Sequence, residues 1–326
     1  MLPDSSTDDP ARRQAEIDEL RAETHTTRRA TVPALEELLY KELLVLDHGF
    51  IRVVDYLGDD GAVVQAARVS YGKGTKAVSN DRGLIRYLLR HRHTTPFEMC
   101  EIKLHVKLPI FVARQWIRHR TANVNEYSAR YSVLDHEFYV PADEHLATQS
   151  KSNRQGRDEV LSGPQAEQAT RDIEALSDRA YELYEALLNE TAGGEVIDAD
   201  KQGLARELAR MVLPVNYYSQ WYWKIDLYNL LHFLSLRADP HAQYEIRAYA
   251  DVLCDVVAKW VPLVWEAFED YQLSGASISG PGLGVLRGLI EDGALDDEAR
   301  LEDLRKKSGL SPREFRELLA VLRDEG

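Results

Sequence analysis

Arginine, glutamine, glutamate and serine crowd into one stretch of the chain, Arg114 to Tyr131, which reads RQWIRHRTANVNEYSARY. Arg114, Arg118, Arg120 and Arg130 each carry a planar fork of donors that matches a phosphate or a carboxylate. Gln115, Asn123, Asn125, Glu126 and Ser128 stand among them as directional donors and acceptors. Taken singly, each arginine reads as solvated or salt-bridged, since Asp and Glu exceed Lys and Arg by fourteen. Taken together, with Arg118-His119-Arg120 followed by seven residues and then Ser128, they read as an anion site. Ser128 also invites a nucleophile's role. A hydroxyl attacks only with a general base beside it, and the neighbours here are Glu126 and arginines without a triad, so an orienting hydrogen bond is preferred.

Elements on both sides must hold this stretch in place. Glu101 to Leu108 alternates Ile102, Leu104, Val106 and Leu108 against Lys103, His105 and Lys107, the period of a half-buried strand. Pro109 can then occupy the first turn of a helix on which Arg114 and Arg118 fall one turn apart. Upstream, Leu44 to Leu46 and Phe50 to Val54 read as two short strands joined at Asp47-His48-Gly49. Ala62 to Ser70 reads as a helix, and Ser79-Asn80-Asp81 offers caps for another through Leu84, Ile85, Leu88 and Leu89 that delivers His91, Arg92 and His93. His91 and His93 lack the further partners a metal needs, so no metal site is expected.

Downstream, Gln165 to Leu188 has helical spacing, and Asp200 to Leu213 reads as a helix presenting Arg206 and Arg210 before Pro214. Val215 to Ile225 is the most aromatic segment and reads as a strand covered on both faces. Leu227 to Leu236 reads as a helix carrying Asn229 and His232 and ending at Arg237, and a long amphipathic run covers Tyr244 to Tyr271.

Outside this block, residues 1–43 read as a partly mobile arm ending in helical turns near Pro33 to Leu43, after a weak helix near Arg12 to Glu23. The polar stretch 149–163 reads as a loop or disordered insertion within a 44–273 domain. The glycines of SGASISGPGLG open a linker to a small helical tail, 274–326. They are no dinucleotide fingerprint, because no strand precedes them. Ser311-Pro312-Arg313-Glu314 reads as a capping box with proline at the first helical position.

The chain has 326 residues and a net charge of −14, a balance that argues against the basic face nucleic-acid binding needs. No apolar run is long enough to cross a membrane and no secretory signal opens the sequence, so a cytoplasmic protein is expected. Cys100 and Cys254 are the only cysteines, and both read as buried small hydrophobes.

The pattern Arg118-His119-Arg120, seven residues, Ser128 resembles the signature of the flavin-dependent thymidylate synthases. The flanks agree, from Pro109 to Trp116 and from Asn125 to Tyr131. So do Ala66 to Ser70, His93 to Glu98, Leu204 to Leu213 and Leu236 to Asp239, and the likeness covers roughly Leu44 to Tyr271. The resemblance implies an α+β fold of helices and antiparallel strands, a homotetramer with shared active sites, and FAD, NADPH, methylenetetrahydrofolate and dUMP as ligands. By resemblance, Gln115, Trp116, Arg118, Glu126, Tyr127, Ser128, Ala129, Arg130, Arg210 and Arg237 surround dUMP. Ser70, Arg118, His119, Arg120, Glu126 and His232 face FAD, and His93 the pocket shared with folate. Arg237 matches the cation that polarises the N3/O4 edge of uracil and so raises electron density at C5. At the flavin contact many relatives carry Asn-x-Arg where this chain has Asp226-Leu227-Tyr228, which removes a cation from beside the diphosphate. Two other readings compete: a relative acting on another pyrimidine, and a nucleotide-sensing or RNA-binding protein whose arginines only recognise phosphate.

Overall fold

The computed structural model describes residues 10–69, 81–151, 156–290 and 295–323. The chain divides into two compact units, Met1–Leu273 and Ser274–Gly326. In the first, helix α1 (Pro10–Ala22) and the single turn α2 (Pro33–Glu36) precede β1 (Leu43–Val45) and β2 (Gly49–Leu57). The expected longer turn after Pro33 stops early because Tyr40 takes φ 63° and donates its N–H to Val53 O. Helices α3 (Asp60–Arg68), α4 (Asp81–Arg90) and α5 (Thr95–Glu98) lead to β3 (Glu101–Pro109), α6 (Ile110–Trp116) and β4 (Asn123–Glu126). Ser70, Ser79 and Asn80 lie outside the described residues.

A short hairpin follows, β5 (Ala147–Gln149) with β6 (Arg157–Val160), so part of the stretch expected as loop is strand. Next come α7 (Pro164–Leu188), α8 (Arg206–Ala209), β7 (Tyr218–Asp226), α9 (Leu227–Arg237), α10 (Tyr244–Trp260) and α11 (Pro262–Phe268). The run from Tyr244 is thus two helices, since Pro262 pushes Val261 out of helical geometry, to φ −136° and ψ 71°. Asp60 caps the second, accepting from Leu263 N and Val264 N at 3.0 Å each.

The helix expected over Asp200 to Leu213 is confined to α8 and a 3₁₀ turn, Arg210–Val212. Tertiary contacts override propensity here. Asn189 Nδ2 donates to the carbonyls of Asp198 and Lys201, at 2.7 and 2.9 Å. Leu204 N donates to Leu187 O, and a Cβ on Gly203 would sit 1.8 Å from Leu188 O, so only glycine allows this approach.

The sheet runs β1-β2-β3-β7-β4, antiparallel throughout. One face packs on the helices: Ile102, Leu104, Val106 and Leu108 from β3 and Trp221, Trp223 and Ile225 from β7 meet Leu230 and Phe233 of α9 and Tyr249 and Leu253 of α10. The other face is polar yet largely covered, which corrects the half-buried reading of β3. His105 is 7% and Lys107 2% exposed. As the central strand, β3 lays His105 between the rings of Phe50 and Tyr222, and Lys107 pairs with Glu137. A second cluster joins α7 to Ala129, Leu134 and Tyr217.

In the second unit, α12 (Gly280–Leu289) begins inside the expected linker, capped by Ser279. Then come α13 (Glu298–Ser308) and α14 (Pro312–Arg323). The capping box is present: Glu314 N donates to Ser311 Oγ at 3.2 Å and Ser311 N to Glu314 Oε2 at 3.0 Å.

Candidate active site

Helix α6 starts where Pro109, at φ −62° and ψ 145°, ends β3 and caps the helix. Its first N–H groups are satisfied from outside, Ile110 N by Tyr217 O and Phe111 N by Val215 O at 2.8 and 2.9 Å. Trp116 then anchors the whole stretch. Its ring is fully buried against Trp221, Trp223, Phe233 and Tyr249, with centroids 4.8 to 5.9 Å apart. The ring therefore belongs to the core rather than to a ligand surface. The helix ends there, and Arg118 follows in a turn instead of extending the helical face with Arg114.

Beyond the turn, β4 pairs with β7, setting Glu126 opposite Trp221. Ser219 Oγ donates to Glu126 Oε1 at 2.7 Å, and Tyr127 N to Gln220 O at 2.7 Å. Ser128 Oγ receives Arg130 N and Nε at 3.4 and 3.5 Å, so the hydroxyl lies against an arginine and not a base. Ala129 is buried in the second cluster.

From the other side, α9 places Arg237 in its last turn, and Arg237 Nε donates to His119 Nε2 at 3.1 Å. His119 is therefore neutral, accepting on Nε2. Burial first, then Arg237 and His232, hold its pKa down at about 4. Burial likewise lowers the pKa of Arg237. His232 is exposed, its ring centroid 6.0 Å from that of His119. A cleft of about 430 Å³ opens beside this pair, lined by Gln115, Ser235, Arg237, Asp239, His241 and Gln243.

Arg114, Arg118, Arg120, Arg130 and Arg210 are exposed, and among the described residues none of them meets a carboxylate. In a chain of net charge −14 this leaves a set of forks open to a polyanion.

Other expected residues stand apart within the chain. His93 is exposed and stacks on Tyr87, its backbone N–H returning to Leu88 O. Asp226, Leu227 and Tyr228 sit at the opposite end of α9 from Arg237. Asp226 is spent on its helix cap, accepting from Asn229 N at 2.9 Å and Asn229 Nδ2 at 2.7 Å, while Leu227 is fully buried. Ser70 lies outside the described residues.

Burial pushes both thiols, Cys100 and Cys254, up to about 12, so neither is a thiolate near neutrality. Sequence reasoning missed Gln243, Glu245, Arg157 and Tyr139, which form a hydrogen-bonded chain behind Gln115. Glu245 in the first turn of a helix was the one signal available.

A family model described as thymidylate synthase complementing protein matches residues 52–263. The chain is 58% identical to the flavin-dependent thymidylate synthase of Ruegeria pomeroyi over 308 residues, 94% of this chain and 97% of that protein. It is 56% identical to the flavin-dependent thymidylate synthase of Rickettsia bellii over 300 residues, 92% of this chain and 99% of that one. Among solved structures, the UMP/dUMP methylase PolB from Streptomyces cacaoi, bound with 5-Br UMP, matches with a TM-score of 0.60 and 37% identity. That match covers 70% of this chain and 96% of PolB.

Proposed function

This chain belongs to the flavin-dependent thymidylate synthase family, and from that premise we propose that it methylates dUMP to dTMP. Methylenetetrahydrofolate serves as one-carbon donor, and FAD reduced by NADPH is the hydride source. The reading is supported above all by one arrangement, a partly buried guanidinium paired with a neutral histidine in a cleft beside Gln115, with exposed arginines next to it in the sequence that meet no carboxylate among the described residues.

Each residue has a task that its surroundings suit. Arg118, Arg130 and Arg210 bind the nucleotide phosphate, with Glu126, Tyr127 and Ser128 orienting the nucleotide. The donor set also fits a flavin diphosphate, because Arg118 and Arg120 are exposed, have no acidic partner among the described residues and flank His119, with His232 nearby. Asp226 contributes a folded helix end rather than a side chain to that contact, and Ser70 and His93 complete it. When bound, the flavin supplies the hydride that completes the methyl group. Arg237 faces the pyrimidine carbonyl edge, where its partly desolvated charge stabilises negative charge as C5 becomes nucleophilic. His119 stays neutral beside it, so it orients the guanidinium without opposing its charge. Residues that stand apart in one chain meet in a site shared between subunits of a homotetramer in the cytoplasm.

The test is product analysis with purified protein, dUMP, methylenetetrahydrofolate, NADPH and FAD. Formation of dTMP that stops when any one of the four is omitted supports the reading, and no dTMP under complete conditions contradicts it. The likeness to PolB, a UMP/dUMP methylase, favours one second reading, in which UMP is also methylated. Competition between UMP and dUMP separates the two.

A further inference from the structure

Gln115 lines the cleft beside Arg237, and its amide is not free to turn. Behind it runs a chain of hydrogen bonds that ends on Glu245, 1% exposed in the first turn of α10. Glu245 receives Arg157 Nη2 on both carboxylate oxygens, Tyr139 Oη on Oε1 at 3.1 Å, and Gln243 Nε2 on Oε2 at 2.8 Å. Burial alone would raise its pKa, but the hydrogen bonds from Arg157 and Gln243 outweigh that and hold it below the usual carboxylate range.

An ionised carboxylate only accepts. Gln243 must therefore turn its NH₂ toward Glu245 and its carbonyl oxygen the other way. Gln115 Nε2 donates to that oxygen, which leaves Gln115 Oε1 without a donor among the described residues. The polarity of both amides is thus dictated by the anion at the far end.

We propose that Glu245 and Gln243 are positioning residues that set base specificity, fixing Gln115 as an acceptor so that the cleft takes a pyrimidine with N3–H. A uracil carries that hydrogen. A cytosine presents a lone pair at N3, and two acceptors facing each other leave both unpaired. Arg157 secures the charge of Glu245 from β6, so that strand takes part in recognition at the cleft. The inference rests on the nucleotide reading above.

Glu245→Gln tests it, because a glutamine there can donate its own NH₂ and let both amides reverse. Dissociation constants for dUMP and dCMP are measured on the FAD-loaded enzyme. The expected result is a dUMP-over-dCMP preference lowered about tenfold, the worth of one hydrogen bond turned against its partner, with flavin content unchanged. Gln243→Met cuts the same chain while leaving the carboxylate paired with Arg157, and it keeps the test decisive if the first variant does not fold. General loosening of the site would weaken both nucleotides in step. A preference preserved in the folded variants therefore overturns the proposal alone, whereas wild-type protein that binds neither nucleotide overturns the functional reading with it.

Discussion

Replacing Arg237 with alanine removes the one cation that α9 drives into the cleft. The guanidinium is partly buried and burial lowers its pKa, so its charge acts through a medium less polar than water. A fixed donor aimed at developing charge is worth about 2.7–4 kcal/mol, or roughly 10²- to 10³-fold in kcat. Ser128 differs in kind, since its hydroxyl shares long contacts with Arg130 at 3.4 and 3.5 Å and faces no base. Losing the single hydrogen bond that its neutral hydroxyl offers a substrate costs about 1 kcal/mol, or roughly fivefold. Initial rates of dTMP formation at saturating substrates should therefore fall at least about 100-fold in Arg237→Ala and no more than about tenfold in Ser128→Ala. The pair also has a spectroscopic readout. Burial remains the larger cause of the low His119 pKa, so Arg237→Ala should raise it from about 4 but leave it below the ordinary 6.5 by NMR titration. Equal losses in the two variants, or an unmoved His119, would refute the reasoning.

Asp226→Asn keeps a capping side chain and should leave flavin affinity equal or improved, while Asp226→Ala should lower stability by about 1 kcal/mol in thermal unfolding. A large loss of FAD affinity in the asparagine variant would mean the carboxylate touches the cofactor. Trp116→Ala should cost about 3–5 kcal/mol of stability as a core deletion, and normal stability with selective loss of dUMP would place its ring at the ligand instead. His105 is held at about 4 by burial, then by Arg52. The unfolded chain takes up a proton near pH 6.5 that the folded chain refuses, so stability should fall as pH drops from 6.5 to about 4, by at most about 3 kcal/mol. Denaturant titrations should show that limb flattened in His105→Gln, and an unchanged pH profile would count against the buried neutral imidazole.

Local chemistry made much of this readable in advance. The alternation through β3, the spacing of α7 and α9 and the Ser311 capping box are each decided within a few residues, and each stands where expected, while Pro109 ends β3 as the cap of α6 instead of entering its first turn. Failures arose where distant contacts decide. Gly203 against the end of α7 stops a helix that propensity favours, and Arg157 reaching Glu245 gives a strand to a stretch with no apolar pattern. Trp116 shows the same limit at the site. Arg114 and Arg118, two residues to either side, are exposed, yet its ring is buried because β7 and α9 bring Trp221, Trp223 and Phe233 around it. The arginines were legible as a cluster, but the orienting chain from Gln115 to Glu245 joins two segments through glutamines 128 residues apart and leaves no local mark.

The central claim is that flavin, reductant and nucleotide meet in one site. Its most direct test is the visible absorption spectrum of the purified protein, followed anaerobically after NADPH is added with and without dUMP. The account predicts a flavin band that bleaches faster when dUMP is present. A colourless protein that also fails to bind added FAD would contradict it.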